Sequence, residues 1–273
     1  MADQAATTTA TATYSALLGL SAPDVGWTPP LRYLLRRQRI LRLSAQYAPG
    51  RLLEVGCGAG ALLADFSRQG FEATGLETSP AALAMSRELA RLDGAGPCVV
   101  PRAGEDWAEA FDVLCSFDVL EHIEHDAQAL AQWTGWLRPG GTVLLSVPAH
   151  PARWNAGDEW AGHWRRYSRA MLLDLLHACG LQVEYLECYG FPLANLTERV
   201  GERTYRRMIG QRQNLSREEA TAHSGTDRRA YSRLSRAIAS PIGRLALRCA
   251  MVAQGATGRT DWGSGYLVVA RKP

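Results

Sequence analysis

The segment LLEVGCGAG, residues 52–60, sets one carboxylate and three glycines at the junction between an apolar run and a helical one. Glycine allows a tight turn and a close approach of ligand to backbone, and the first N–H groups of the following helix have no partner of their own. That chemistry is a nucleotide-type binding loop, with a plain strand-to-helix turn as the alternative. Gly56 and Gly58 followed by Ala61 also fit a loose dinucleotide fingerprint, GxGxxA. Glu54, at the carboxyl end of the apolar run, speaks against it, because a carboxylate there repels a pyrophosphate and attracts an ammonium group. Glu77 closes the next apolar run, at the spacing where a carboxylate accepts both ribose hydroxyls.

The elements that must position these residues follow from periodicity. Apolar runs at Leu52–Val55, Phe71–Leu76, Cys98–Val100, Phe111–Phe117 and Thr142–Val147 alternate with helical patterns at Ala61–Gln69, Pro80–Leu92 and Asp126–Leu137. Ser79 caps the second of these helices, with Pro80 at its first position. Such alternation predicts a parallel sheet with helices on both faces. A further helix, Ser168–Cys179, and strand, Leu181–Tyr189, precede a last strand at Gly265–Ala270. The connection between those last two strands is too long for a loop and reads as an insertion with its own structure, at about residues 191–262. At the other end, residues 1–13 read as a flexible leader. Leucines among five arginines over residues 30–47 predict an amphipathic helix.

Four blocks, LLEVGCGAG (52–60), TGLETS (74–79), FDVLCSFDVLEHIEHD (111–126) and LRPGGTVLLSVPAH (137–150), resemble those of class I S-adenosylmethionine (SAM)-dependent methyltransferases, in the order expected of that family. The resemblance covers about half the chain. It implies a doubly wound, seven-stranded α/β sheet of Rossmann-like type, its last strand antiparallel and preceded by the helical insertion. The units expected are a leader (1–13), an N-terminal helical cap (14–48), a SAM-binding domain (49–190), an insertion that caps the substrate (191–262) and the last strand (263–273). By the same resemblance Glu54, Gly56, Gly58 and Gly60 form the methionine-side loop, Glu77 meets the ribose, and Asp106 or its neighbour Glu105 meets the adenine amino group. Trp107 either covers the ring or is a partly buried surface aromatic, Thr78 and Phe117 join the cofactor-binding set, and Arg37 lies near the SAM carboxylate.

Asp118, Glu121 and His122 follow the fourth strand, where the methyl group is presented. Quinone-pathway O-methyltransferases carry a similar stretch, ExxEH, which implies a divalent cation such as Mg2+ on Asp118, Glu121 and His122. The more economical role for His122 is general base or substrate positioning, since an imidazole takes up a proton near neutral pH. Residues 148–167, PAHPARWNAGDEWAGHWRRY, resemble the DExxGHxRRY stretch of bacterial small-molecule methyltransferases and add His150 and His163 as candidate bases. Trp154, Trp160, Trp164 and Tyr167 are candidates to wall an apolar acceptor. Arg165, Arg166, Asp158 and Glu159 either serve the substrate or pin the loop through ion pairs.

Composition narrows the function classes. The 273 residues are 47% apolar and 21% charged, an ordinary globular balance. No apolar run approaches the roughly 20 residues of a membrane span, and nothing at the start reads as a secretory signal. The expected location is the cytoplasm. Six cysteines without a CxxC pair, most of them inside apolar segments, suit reduced, buried thiols better than disulfides or zinc. A net charge of +3 is too small to imply nucleic acid, and the Asp/Asn-Pro-Pro-aromatic block of base N-methyltransferases is missing. From Asn195 to Gln254, twelve arginines face five acids, a net +7. This fits a cationic cap, contact with an anionic membrane surface, a homodimer contact or a solvated helical face. The expectation is methyl transfer to an oxygen of a small molecule: a secondary metabolite, a quinone-like compound or a lipid-linked one. The alternatives are an N- or C-methyltransferase, or a peripheral-membrane assembly protein on the same fold.

Overall fold

The computed structural model describes residues 10–94, 98–211, 217, 219–221 and 232–273. In it the apolar runs join into a single seven-stranded sheet. β3 (Arg51–Val55) is flanked on one side by β4 (Glu72–Leu76) and β5 (Cys98–Val100), and on the other by β6 (Phe111–Phe117) and β7 (Leu137–Pro148), all parallel. β9 (Gly265–Arg271) inserts antiparallel between β7 and β8 (Gln182–Tyr189), giving the order β5-β4-β3-β6-β7-β9-β8. Strand order reverses direction between β3 and β6. In open α/β sheets the ligand crevice lies outside the carboxyl ends of the strands at such a point.

Successive strand residues point to opposite faces, and the core divides accordingly. Leu53, Leu114, Val143 and Val268 face one layer, built on α4 (Asp126–Trp136) and α6 (Arg169–Ala178). Leu52, Val113, Leu144 and Val269 face the other, built on α1 (Leu31–Ser44) and α2 (Ala61–Arg68). Each such fully buried aliphatic side chain is worth about 1.5–3 kcal/mol relative to exposure. α3 (Pro80–Asp93) begins as its sequence predicts, with Ser79 Oγ accepting the Ala82 N–H, and ends at Gly94 in the left-handed region.

Several expectations are corrected. Residues 1–9 of the leader lie outside the described residues, and its last residue, Thr13, opens β1 (Thr13–Ser15) of a hairpin with β2 (Gly19–Ser21). The arginines of α1 do not all face water. Arg37 makes a buried two-point pair with Asp65 (both contacts 2.6 Å), and Arg39 one with Glu187 (2.7 and 2.6 Å). Buried charges persist when paired in this bidentate way. All six cysteines are free, but Cys98 and Cys249 are exposed. Between β8 and β9 run α7 (Leu193–Gln211), α8 (Ser232–Ala239) and α9 (Pro241–Thr257). Among the described residues, no helix is long and apolar enough to cross a membrane.

Candidate active site

A cavity of about 1480 Å³ opens at the carboxyl ends of β3, β4 and β6, between α1, α7 and the short helix α5 (Ala156–Ala161). It exceeds the roughly 300–1,000 Å³ typical of a single ligand, so two ligands fit side by side. Gly56 and Gly58 form one end, with φ of 70° and 56°. A Cβ on Gly56 would lie 2.5 Å from Val119 Cγ2, whereas one on Gly58 would meet nothing within 4 Å. Packing demands the first glycine; the left-handed backbone, with open space before it, demands the second. Glu77 accepts the Gly58 N–H through Oε2 and the Ser79 N–H through Oε1, each at 2.8 Å. One carboxylate thus ties the glycine loop to the start of α3 while lining the cavity, and each oxygen keeps a second lone pair.

Glu54 lies deeper, 4% exposed, and its Oε2 has no hydrogen-bond partner. Burial pushes its pKa up to about 8, with Arg36 opposing and Asp65 and Glu77 adding to the rise. A buried carboxyl with an orphaned oxygen is costly, and a cationic ligand group relieves that cost. Thr78 and Phe117 also line this end. The donor set of Glu54, Glu77 and the glycine loop fits SAM, whose ammonium and ribose need those groups.

The opposite end collects side chains from distant segments. His122 closes the turn Leu120–His122 after β6, and its Nδ1 lies 3.1 Å from Thr221 Oγ1. His163 follows Gly162, the left-handed cap of α5, and its Nδ1 lies 2.9 Å from Asp158 Oδ1. Asp158 is itself fixed: its Oδ2 accepts the Asn155 N–H at 2.9 Å in a capping box, and Arg166 Nε donates to both of its oxygens at 2.8 Å. The two imidazoles meet edge to face, their centroids 4.7 Å apart. Glu121 beside them is fully buried, and neither carboxylate oxygen has a partner. Burial, reinforced by Asp118, drives its pKa well up, while burial and the neighbouring His163 push His122 down to about 3. His122 is therefore neutral at physiological pH. Trp160, Trp164 and Tyr205 wall this end, and the Arg217 guanidinium lies 4.0 Å over the Trp164 ring.

Residues 31–186 match the methyltransferase domain family. That match spans more than half of the chain. The protein belongs to the class I SAM-dependent methyltransferases. Among curated relatives, it is 34% identical over 115 residues to a ubiquinone biosynthesis O-methyltransferase of Nitrosococcus oceani, covering 41% of this chain and 49% of that one. A namesake from Sodalis glossinidius is 31% identical over 132 residues, covering 46% and 53%. The chain spans about half the length of the curated relatives it matches. Among solved structures, a SAM-dependent methyltransferase of Mesorhizobium loti superposes with a TM-score of 0.51 at 18% identity, covering 88% of this chain and 97% of that one. Haemonchus contortus phosphoethanolamine N-methyltransferase 2, in complex with phosphomonomethylethanolamine and S-adenosylhomocysteine, gives 0.54 at 17%, covering 91% and 54%. At these identities the superpositions show the fold alone.

Several residues expected at the methyltransferase site lie elsewhere. Arg37 is consumed by Asp65, and Arg36, one residue earlier, lines the cavity instead. Gly60 turns the chain into α2 without lining the cavity. Asp106 is exposed, and Trp107 packs edge-on against Phe111 and Trp136 in the core, centroids 5.2 and 5.4 Å away, so neither reaches the cavity. An indole wedged between two aromatic rings gains more from burial than from a solvent-lined pocket. His150 is off the lining as well, its ring on Tyr266 and its Nε2 3.7 Å from Cys188 Sγ. Trp154 and Tyr167 do not line it either; the Tyr167 hydroxyl donates to Asp126 at 2.7 Å.

The cation set Asp118, Glu121 and His122 does not assemble. Asp118 sits between Arg36 and Arg32 and accepts the Ser146 hydroxyl at 3.0 Å. Burial alone would raise its pKa, but the two guanidiniums and the hydroxyl outweigh this and hold it well below the carboxylate range. The sequence reading also missed Arg36, Tyr205, Thr221 and the bond from Asp158 to His163. Only the last had a local signal, the fixed spacing DExxGH.

Proposed function

We propose that this methyltransferase moves the methyl group of SAM to a hydroxyl oxygen of an apolar, ring-bearing small molecule. The observation that carries the reading is a single cavity joining the Glu54–Gly58–Glu77 end to the His122–His163 end. Relatives named ubiquinone biosynthesis O-methyltransferases support oxygen as the methylated atom and a quinone-like ring as the acceptor. Bound in the cavity, SAM supplies a methyl on a sulfonium, which passes to the acceptor oxygen as the carbon–sulfur bond breaks and S-adenosylhomocysteine is left.

The chain's own work is positioning and proton removal. Glu54 pairs the ammonium, and Glu77 accepts from the ribose while holding the glycine loop. Trp160, Trp164 and Tyr205 stack the acceptor ring, so that attack is effectively intramolecular. Asp158 accepts from His163 Nδ1, which leaves Nε2 free to take the hydroxyl proton. Residues 191–262 act as the substrate cap, α7 closing one wall. Arg212, Arg228 and Arg229 of that segment lie outside the described residues. On α9 the apolar side chains Ile242, Leu245 and Val252 are exposed beside Arg244 and Arg248. An apolar stripe edged with arginine supports docking on an anionic bilayer that delivers a lipid-linked acceptor; salt-sensitive co-sedimentation with anionic vesicles tests it.

The deciding experiment is calorimetric titration with S-adenosylhomocysteine, then methyl transfer from labelled SAM to a panel of catechols, amines and carbon acids. Binding lost in Glu77→Ala and label on a catechol oxygen are expected. Label on nitrogen or carbon overturns the choice of atom, and absence of binding overturns the reading.

A further inference from the structure

We propose that Glu198 is a positioning residue for methyl transfer. It clasps α7 between α1 and the loop that carries His163, so that filling the donor end draws the acceptor wall shut. The residue belongs to the insertion, beyond residues 31–186, which match the methyltransferase domain family. For what fills the donor end, the inference rests on the proposed methyl transfer from SAM.

One oxygen of Glu198, Oε1, accepts from Arg32 Nη1 at 3.0 Å and from Arg166 Nη2 at 3.4 Å. The Glu198 side chain is 20% exposed and that of Arg166 4%, so water screens these contacts far less than those of a surface pair. Arg32 reaches back through its Nε to Asp118 Oδ2 at 3.5 Å, and the same oxygen pairs with Arg36. Arg166 reaches forward to Asp158, which holds His163. Three guanidiniums and three carboxylates thus alternate along the cavity wall, from the donor end to the His163 imidazole. Glu198 is the link that the cap supplies.

The clasp fixes which face α7 turns to the cavity. Gly201 and Tyr205 follow Glu198 at i+3 and i+7, on the same face of the helix. The Tyr205 and Trp160 rings lie 5.2 Å apart, centroid to centroid. A Cβ on Gly201 would stand 3.3 Å from the Tyr205 ring and one on Gly157 of α5 3.4 Å, so both glycines make room for it. At the other end, the ammonium and carboxylate of the donor share one carbon. With the ammonium on Glu54, the carboxylate falls beside Arg36, whose charge already acts on Glu54, and competes with Asp118 for that guanidinium. Asp118, left with less of Arg36, draws Arg32 in from 3.5 Å to hydrogen-bond range, and Arg32 carries Glu198 and α7 with it. Donor binding thereby seats Tyr205 on the acceptor, and by linkage the acceptor tightens the donor.

The test is hydrogen–deuterium exchange of the full chain with and without saturating S-adenosylhomocysteine, followed in peptides from α7; calorimetry establishes saturation and circular dichroism the folding of each variant. In the wild type the ligand should slow α7 exchange by about tenfold. Glu198→Gln keeps the shape and loses the charge; it should bind the ligand within about twofold of wild type yet lose that protection. Asp118→Asn breaks the chain one link earlier and should lose it too. Glu202→Gln removes a charge from the same helix, but from a pair with Arg206 at 2.7 Å, and should keep it. Protection that survives Glu198→Gln or Asp118→Asn overturns the proposal. So does α7 exchange that Glu198→Gln speeds by one factor with and without ligand, the mark of a structural role alone. Ligand binding that leaves α7 of the wild type unprotected overturns it while the methyl-transfer reading stands, whereas no ligand binding overturns both.

Discussion

Asp158 Oδ1 lies 2.9 Å from His163 Nδ1, and Arg166 grips the same carboxylate from the other side at 2.8 Å. Burial would raise the Asp158 pKa, but its bonds to His163 and Arg166 prevail and hold it low. The carboxylate thus stays ionised and fixes an imidazole that lines the cavity. His163→Gln leaves the buried pair of Asp158 and Arg166 intact. It should slow single-turnover methyl transfer by about 10²-fold or more while leaving S-adenosylhomocysteine affinity within twofold. A variant with the wild-type rate would remove His163 from the reaction.

Glu54 links donor binding to pH. Its folded pKa of about 8 lies above the ordinary 4.5, so between those values the ligand-free folded state holds a proton that the unfolded state has released. The contribution to stability is fully present below pH 4.5 and is lost progressively as pH rises to about 8. Thermal unfolding of the ligand-free protein should show this decline, and Glu54→Gln should flatten it. The proposed pairing of Glu54 with the donor's ammonium requires the carboxylate, so S-adenosylhomocysteine affinity should strengthen from pH 6 to 8 with net proton release. Calorimetry in buffers of different ionisation enthalpy measures that release, and equal proton counts in wild type and Glu54→Gln would refute it.

What sequence disclosed about this site depends on the distance over which each residue is positioned. Glu54, Gly56, Gly58 and Glu77 were legible because each sits within a few residues of a strand end, and strand ends follow from apolar runs buried on both faces. Of the two neighbouring arginines, Arg36 lines the cavity and the expected Arg37 does not. A helix turns about 100° per residue, so Arg36 and Arg37 point in different directions, and only the packing of α1 on α2 decides which of them meets Asp65. Trp107 is likewise drawn inward by Trp136, nearly thirty residues away. Thr221 reaches His122 across 99 residues, a contact that no local spacing encodes. The hairpin at Thr13–Ser21 carried a weak signal, because three-residue strands show too little alternation to read.

The pair of Arg37 and Asp65 should behave as structure. Their side chains are 2% and 1% exposed, and Arg37 Nη1 also donates to the Ala16 carbonyl at 2.9 Å, fastening the hairpin to α1. Removing one partner of a buried pair leaves an uncompensated charge, which costs about 3–5 kcal/mol. Arg37→Met should lower unfolding free energy in urea by that order, yet the folded variant should bind S-adenosylhomocysteine as the wild type does. A tenfold loss of affinity without loss of stability would restore Arg37 to the donor site.

Gly58→Ala separates backbone strain from ligand contact. At φ 56° an added Cβ meets no protein atom within 4 Å, so the folded chain is charged only for the left-handed backbone, about 1–2 kcal/mol. The same methyl would stand in open space at a residue that lines the cavity. Donor binding should therefore fall by tenfold or more, while the melting temperature drops by only a few degrees. Gly56→Ala provides the contrast. Its Cβ would meet Val119 Cγ2 at 2.5 Å, so that variant should lose stability first, and donor affinity only through it. Calorimetry and thermal melts on the two variants distinguish these outcomes, and equal effects on both would mean that Gly58 has no direct part in holding the donor.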